Sequence, residues 1–143
     1  MRTKHKQILA ALAAGLCLGA VLGGAALFDR LYPLAGPIQV PEADEVLSAS
    51  LVCSEGGKSA PLAAGEVEAL LAALAAAQPT RGQALEDVPT QEPWYGLDLR
   101  TQAREYRYFF YEKYGRFYLE VPYEGLYETE EAVWEAVTGR RAA

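Results

Sequence analysis

Residues Ile8 to Phe28, ILAALAAGLCLGAVLGGAALF, run 21 positions without a charge. No other feature restricts the fold as strongly. A helix rising about 1.5 Å per residue needs ~20 apolar residues to cross ~30 Å of hydrocarbon. Arg2, Lys4 and Lys6 precede the run, with His5 among them, and all 19 acidic residues follow it. From Asp29 onward 10 basic residues face 19 acids, leaving −9, while the first seven residues carry +3. Basic flanks tend to stay in the cytoplasm. The expectation is a cytoplasmic flank over 1–7, a single transmembrane helix over 8–28 and the remaining mass outside the cell membrane.

A cleaved signal peptide competes with this anchor. Gly24-Ala25-Ala26 would pass as a cleavage site, but a signal h-region is typically ~7–15 residues, and this run is longer. Lipid attachment at Cys17 is disfavoured, because the preceding Leu16 is too bulky for lipobox processing. Gly15, Gly19 and Gly23 repeat at the spacing that lets two membrane helices approach closely; a simple Gly/Ala-rich span explains them as well.

Cys17 lies in the span and Cys53 beyond it, so no internal disulfide is available and the outer part must rely on its core. Cys53 reads as a small buried hydrophobe. Asp29 to Pro41, with three prolines and no period, reads as a stalk over 29–41. The compact domain is then 42–143. Within it, Glu45 to Cys53 alternates, placing Leu47, Ala49, Leu51 and Cys53 on one buried face. Gly65 to Ala77 is a helix with Val67, Leu70, Leu71 and Leu74 on its inner stripe. Thr80 to Pro93 is a long polar loop, read as mobile. Trp94 to Arg100 alternates again. A last helix begins behind Thr129 as its cap, lined by Ala132, Val133, Ala136 and Val137, and ends at Gly139. The order predicts an α+β fold: an antiparallel sheet of about four strands with two helices on one face.

Residues 106–127, YRYFFYEKYGRFYLEVPYEGLY, concentrate the aromatic rings. A two-residue connection at Tyr114-Gly115 pairs Tyr111 with Tyr118, Phe110 with Leu119 and Phe109 with Glu120. Tyr108, Phe110, Phe117, Leu119 and Val121 then face the core. Phe109, Tyr111, Tyr118, Arg107 and Glu120 share the opposite face. Cross-strand pairing alone justifies such rings, yet tyrosine also suits recognition. Phe109, Tyr111, Tyr118 and Arg107, with Trp94 beside them, are therefore the candidate binding residues.

Catalytic chemistry is not legible. The sole histidine is His5, on the basic flank. No nucleophile has an evident base partner, and the adjacent acids Glu86-Asp87 and Glu130-Glu131 do not form a pair spaced across a cleft. No phosphate-binding glycine loop or calcium loop is present. The −9 balance argues against nucleic acid. No cofactor, no metal and no enzymatic activity are expected.

Pro79-Thr80, the strand from Trp94 to Leu99, the tyrosine-rich hairpin and the closing helix together resemble a family of small membrane-attached extracytoplasmic domains of Gram-positive bacteria, of unknown function. The resemblance covers roughly residues 38–138. It implies a cell-surface setting and transfers no active-site residues. The leading functional expectation is a membrane-tethered domain that binds a protein or peptide outside the cell without catalysis. An accessory or sensor subunit acting through its membrane helix, and a small-molecule binder with a pocket beside Trp94, are the alternatives.

Overall fold

A computed structural model describes residues 2–57 and 59–139. It divides into two units, one ending at Leu34 and the other beginning at Ala35. The first is helix α1 (Arg2–Leu31), whose segment Lys4–Leu31 is long and apolar enough to cross a membrane and buries none of its length.

The second unit is a mixed α+β domain. A turn of 3-10 helix (Ala43–Glu45) leads into β1 (Val46–Cys53), β2 (Ser59–Pro61), α2 (Ala64–Ala76), β3 (Gln78–Pro79), β4 (Trp94–Thr101), β5 (Glu105–Lys113), β6 (Arg116–Val121), β7 (Gly125–Thr129) and α3 (Glu131–Thr138). Among the described residues the strands form one seven-stranded antiparallel sheet, in the order β2-β1-β4-β5-β6-β7-β3. The expectation of about four strands misses the two edges and β7. β2 and β3 are only three and two residues long and each contains a proline. A proline cannot donate to a ladder, so such strands close a sheet edge without inviting further pairing. Strands this short carry no alternation to read in a sequence.

The hairpin register is as the sequence predicts, with Phe109 opposite Glu120, Phe110 opposite Leu119 and Tyr111 opposite Tyr118. Tyr114 and Gly115 both adopt positive φ, 54° and 72°. That is the conformation that lets a two-residue turn follow the twist of its strands. Tyrosine is a poor occupant there. Tyr114→Asn should stabilise the domain by about 0.5–1 kcal/mol, part of the ~1–2 kcal/mol left-handed penalty, read as a higher unfolding midpoint.

One core lies between the sheet and the two domain helices. Leu97, Leu99, Tyr108, Phe110, Leu119 and Tyr127 from the strands meet Val67, Leu70, Leu71 and Leu74 of α2 and Val137 of α3. Two helix details differ from expectation. Thr129 belongs to β7, and Glu130 occupies the cap position of α3. The inner side of α3 is Val133, Trp134 and Val137, while Ala132 and Ala136 are exposed. Trp134 meets Tyr95 edge-on at 5.4 Å and stacks on Phe117 at 6.0 Å. Leu47 is also displaced from its expected buried face. A register shift between Val46 and Ser48 leaves it 68% exposed, because a bulge turns one side chain out of the alternation.

The stalk expectation is corrected beyond Leu34. Residues 35–41 are a strap of the domain itself. The Tyr127 hydroxyl donates to the Gly36 carbonyl and the Tyr108 hydroxyl to the Gln39 carbonyl, both at 2.6 Å. The Ala35 amide donates to the Thr80 carbonyl at 2.9 Å. A strap held by tyrosines far along the chain has no local periodicity, which is why prolines alone suggested a stalk.

Candidate functional site

The face of the sheet turned away from α2 and α3 divides into a covered half and an open half. The covered half lies over β5 and β6. Phe109 is 2% exposed, Tyr111 6% and Glu120 8%, yet none of them belongs to the main core. Segment 80–93, expected as a mobile loop, packs on this face: Gly82 lies against the side chain of Leu126, the residue opposite Glu120. Ala84 in that segment is buried, and its carbonyl accepts the Tyr123 amide at 2.9 Å. Thr80 donates its hydroxyl to the Leu126 carbonyl at 2.7 Å and accepts the Gly82 amide at 3.0 Å. The Asp87 carboxylate accepts the Tyr123 hydroxyl. The loop is thus a lid with named anchors, and the expectation of mobility overlooked the apolar surface it has to cover.

Beneath the lid, Trp94, Tyr111 and Tyr118 form one cross-strand row. Tyr111 and Tyr118 lie 5.8 Å apart, and Trp94 meets Phe109 edge-on at 5.1 Å. Phe109 also lies across Gly96, where an added Cβ would stand 3.3 Å from the ring. Of the expected binding residues, Phe109 and Tyr111 are therefore closed off from solvent, Trp94 and Tyr118 are half-buried, and Arg107 is exposed.

The Tyr111 hydroxyl donates to the Glu120 carboxylate at 3.0 Å. Burial pushes the Glu120 carboxyl up, the Tyr111 bond opposes this, and the charge of Glu86 on the lid adds to the rise. The folded protein therefore holds this proton more tightly than the unfolded chain does. Its contribution to stability is least favourable above the raised value and improves as pH falls through it toward the ordinary carboxyl range. Glu120→Gln removes the ionisation and keeps an oxygen for Tyr111. It should raise the unfolding midpoint at neutral pH and flatten the gain that the wild type shows on mild acidification.

The open half lies over β1, β4 and β5. Two cross-strand rows pave it: Ser50, Asp98 and Arg107, then Ser48, Arg100 and Glu105. Arg107 donates to both Asp98 oxygens, at 2.5 and 3.2 Å. This bidentate bond is the main reason its guanidinium holds its proton more firmly than usual. Arg100 and Glu105 are a looser pair at 3.9 Å, with side chains 69% and 80% exposed. Asp87 and Tyr123 wall one side. The result is a groove of about 630 Å³. Tyr123 stands in the left-handed region at φ 62°, fixed by its amide and hydroxyl bonds to the lid. Trp94 does not line this groove. Among the described residues no group of three or more His, Cys, Asp or Glu is placed to hold a metal.

The polar row Ser50-Asp98-Arg107 was half legible, since Arg107 was singled out. Its partners were not, because their adjacency depends on strand pairing, across nine residues for Asp98 and across more than 40 for Ser50. The alternation of Ser48, Ser50, Asp98 and Arg100 on the faces opposite the apolar sets was the available signal.

A solved structure, the NMR structure of a protein from Ruminococcus gnavus, superposes with a TM-score of 0.56 at 24% identity, covering 68% of this chain and 99% of that one. That likeness shows the fold. No curated protein matches the chain. A family model described as "Domain of unknown function (DUF5300)" matches residues 34–128, beginning one residue before the unit that starts at Ala35 and ending within β7. The chain belongs to this uncharacterised domain family, DUF5301, and its strap, lid, groove and hairpin all lie within the matched region.

Proposed function

We propose that the chain is a single-pass membrane protein whose domain stands outside the cell and binds a protein or peptide, without catalysis, in the groove on the open half of its sheet. The apolar run of α1 and the basic residues at the helix's start support the tether and the orientation. The observation that carries the binding reading is the groove of about 630 Å³, paved by paired charges and walled by Tyr123. An extended segment laid along it meets hydroxyls, carboxylates and guanidinium groups in two ordered rows. The exposed Arg100–Glu105 pair contributes little to stability as it stands, so both side chains are available to a ligand.

Photo-crosslinking in intact cells tests this. A crosslinking side chain at Arg100 should yield a discrete adduct, while the same group at Ala72, on the exposed side of α2, should not. Equal adducts from both positions, or none from Arg100, would remove the groove as the binding surface.

A further inference from the structure

Glu120 is a carboxylate shut beneath a lid that itself carries a carboxylate. It lies on β6, opposite Phe109 of β5 on one side and Leu126 of β7 on the other, neither of which bears a charge. Tyr111 of β5 donates to it and the charge of Glu86 on the lid acts on it; Tyr118 of β6 and Glu128 of β7 share its face, and the lid also carries Arg81 and Asp87. A single donor leaves an ionised carboxylate in a water-poor place with one hydrogen bond and a like charge above. Both conditions disfavour the charged form when the lid is down. Lifting the lid would rehydrate Glu120 and separate it from Glu86. The lid's own anchors include the Ala84 carbonyl on the Tyr123 amide and Asp87 on the Tyr123 hydroxyl. Asp87 and Tyr123 also wall the groove.

We propose that segment 80–93 is a proton-responsive wall of the groove, seated when Glu120 is protonated and loosened when Glu120 ionises. This rests on the reading of the groove as the binding site, and it supplies that site with a control. Loosening the lid frees the groove wall and uncovers Phe109, Tyr111 and the row that contains Trp94 and Tyr118. The aromatic face then becomes continuous with the polar one.

Hydrogen exchange on the full-length chain in detergent, with no peptide present, reads the lid directly. The amides of Tyr123, Gly82 and Thr80 each bond within or to the lid; those of β4 and β5 report opening of the whole domain. After correction for intrinsic rates, lid protection should be higher at about pH 5 than at about pH 7.5 while staying below that of the β4 and β5 amides, which open only with the whole domain. Glu120→Gln should show high lid protection at both values. Wild-type lid protection that ignores pH, or the same pH response in Glu120→Gln, overturns the proposal. If Glu120→Gln fails to fold, Glu86→Gln decides: its response should move to lower pH, and an unmoved midpoint overturns the proposal. A negative crosslinking result at Arg100 leaves this measurement intact, so the two readings fail separately.

Discussion

Phe110→Ala should lower the stability of the domain by about 3–5 kcal/mol, the largest effect of any single truncation considered. Phe110 is 1% exposed and sits mid-strand in β5, between Tyr95 of β4 and Leu119 of β6. Its ring belongs to the core that receives α2 and α3. Removing it takes away the transfer free energy of a whole ring and leaves a void that close-packed neighbours cannot fill. A domain of this size is held by only about 5–15 kcal/mol in total, so the variant should unfold at much lower denaturant concentration. A loss below about 1 kcal/mol would mean that Phe110 is not at the centre of this core.

Gly125→Ala should be the second large effect, at about 1–3 kcal/mol, and it has a specific remedy. Gly125 opens β7 opposite Val121. A Cβ built there would stand 2.5 Å from the Cβ of Ala35, in the strap. Ala35 cannot retreat freely, because its amide is bonded to the Thr80 carbonyl and Tyr127 holds Gly36 beside it. The clash is therefore methyl against methyl between two tied backbones. Ala35→Gly in the same chain should restore the part of the loss that comes from this clash, the strain of a side chain at φ 159° remaining, although alone it costs some backbone entropy. A double variant no better than Gly125→Ala would show that the strap does not lie where it is described.

The sheet centre was legible because β1, β4 and β6 each carry a two-residue period and the hairpin sets β5 against β6, where a slip of one residue would turn Phe110 and Leu119 out of the core. The hairpin turn was legible for the same reason, with Gly115 marking its place. The helices followed from the spacing of Val67, Leu70, Leu71 and Leu74, and less well for α3, where Trp134 replaced the expected alanines. What escaped was everything held by distant contacts. The strap is set by Tyr108 and Tyr127, roughly 70 and 90 residues away. The lid is set by Ala84, Asp87 and Thr80 against the turn at Tyr123 and the strand at Leu126. Both segments read as irregular because their order comes from their partners.

The candidate site shows the same division. The sequence placed Phe109, Tyr111, Tyr118 and Arg107 together on one face, and the cross-strand rows agree. It did not reveal that the lid takes Phe109 and Tyr111 out of solvent, or that Arg107 continues into a paved groove with Asp98, Arg100 and Glu105. An aromatic face with a charged end became two half-faces of different character.

The central claim is that a domain paved for contact stands outside the cell on a retained helix. A single cysteine at the exposed Gln102, in a full-length chain whose Cys17 and Cys53 are replaced by serine, tests it most directly. A membrane-impermeant maleimide added to intact cells should label that cysteine on a membrane-bound chain of unshortened length. Labelling that appears only after lysis would place the domain in the cytosol, and a labelled chain recovered shortened from the medium would replace the tether with a cleaved leader.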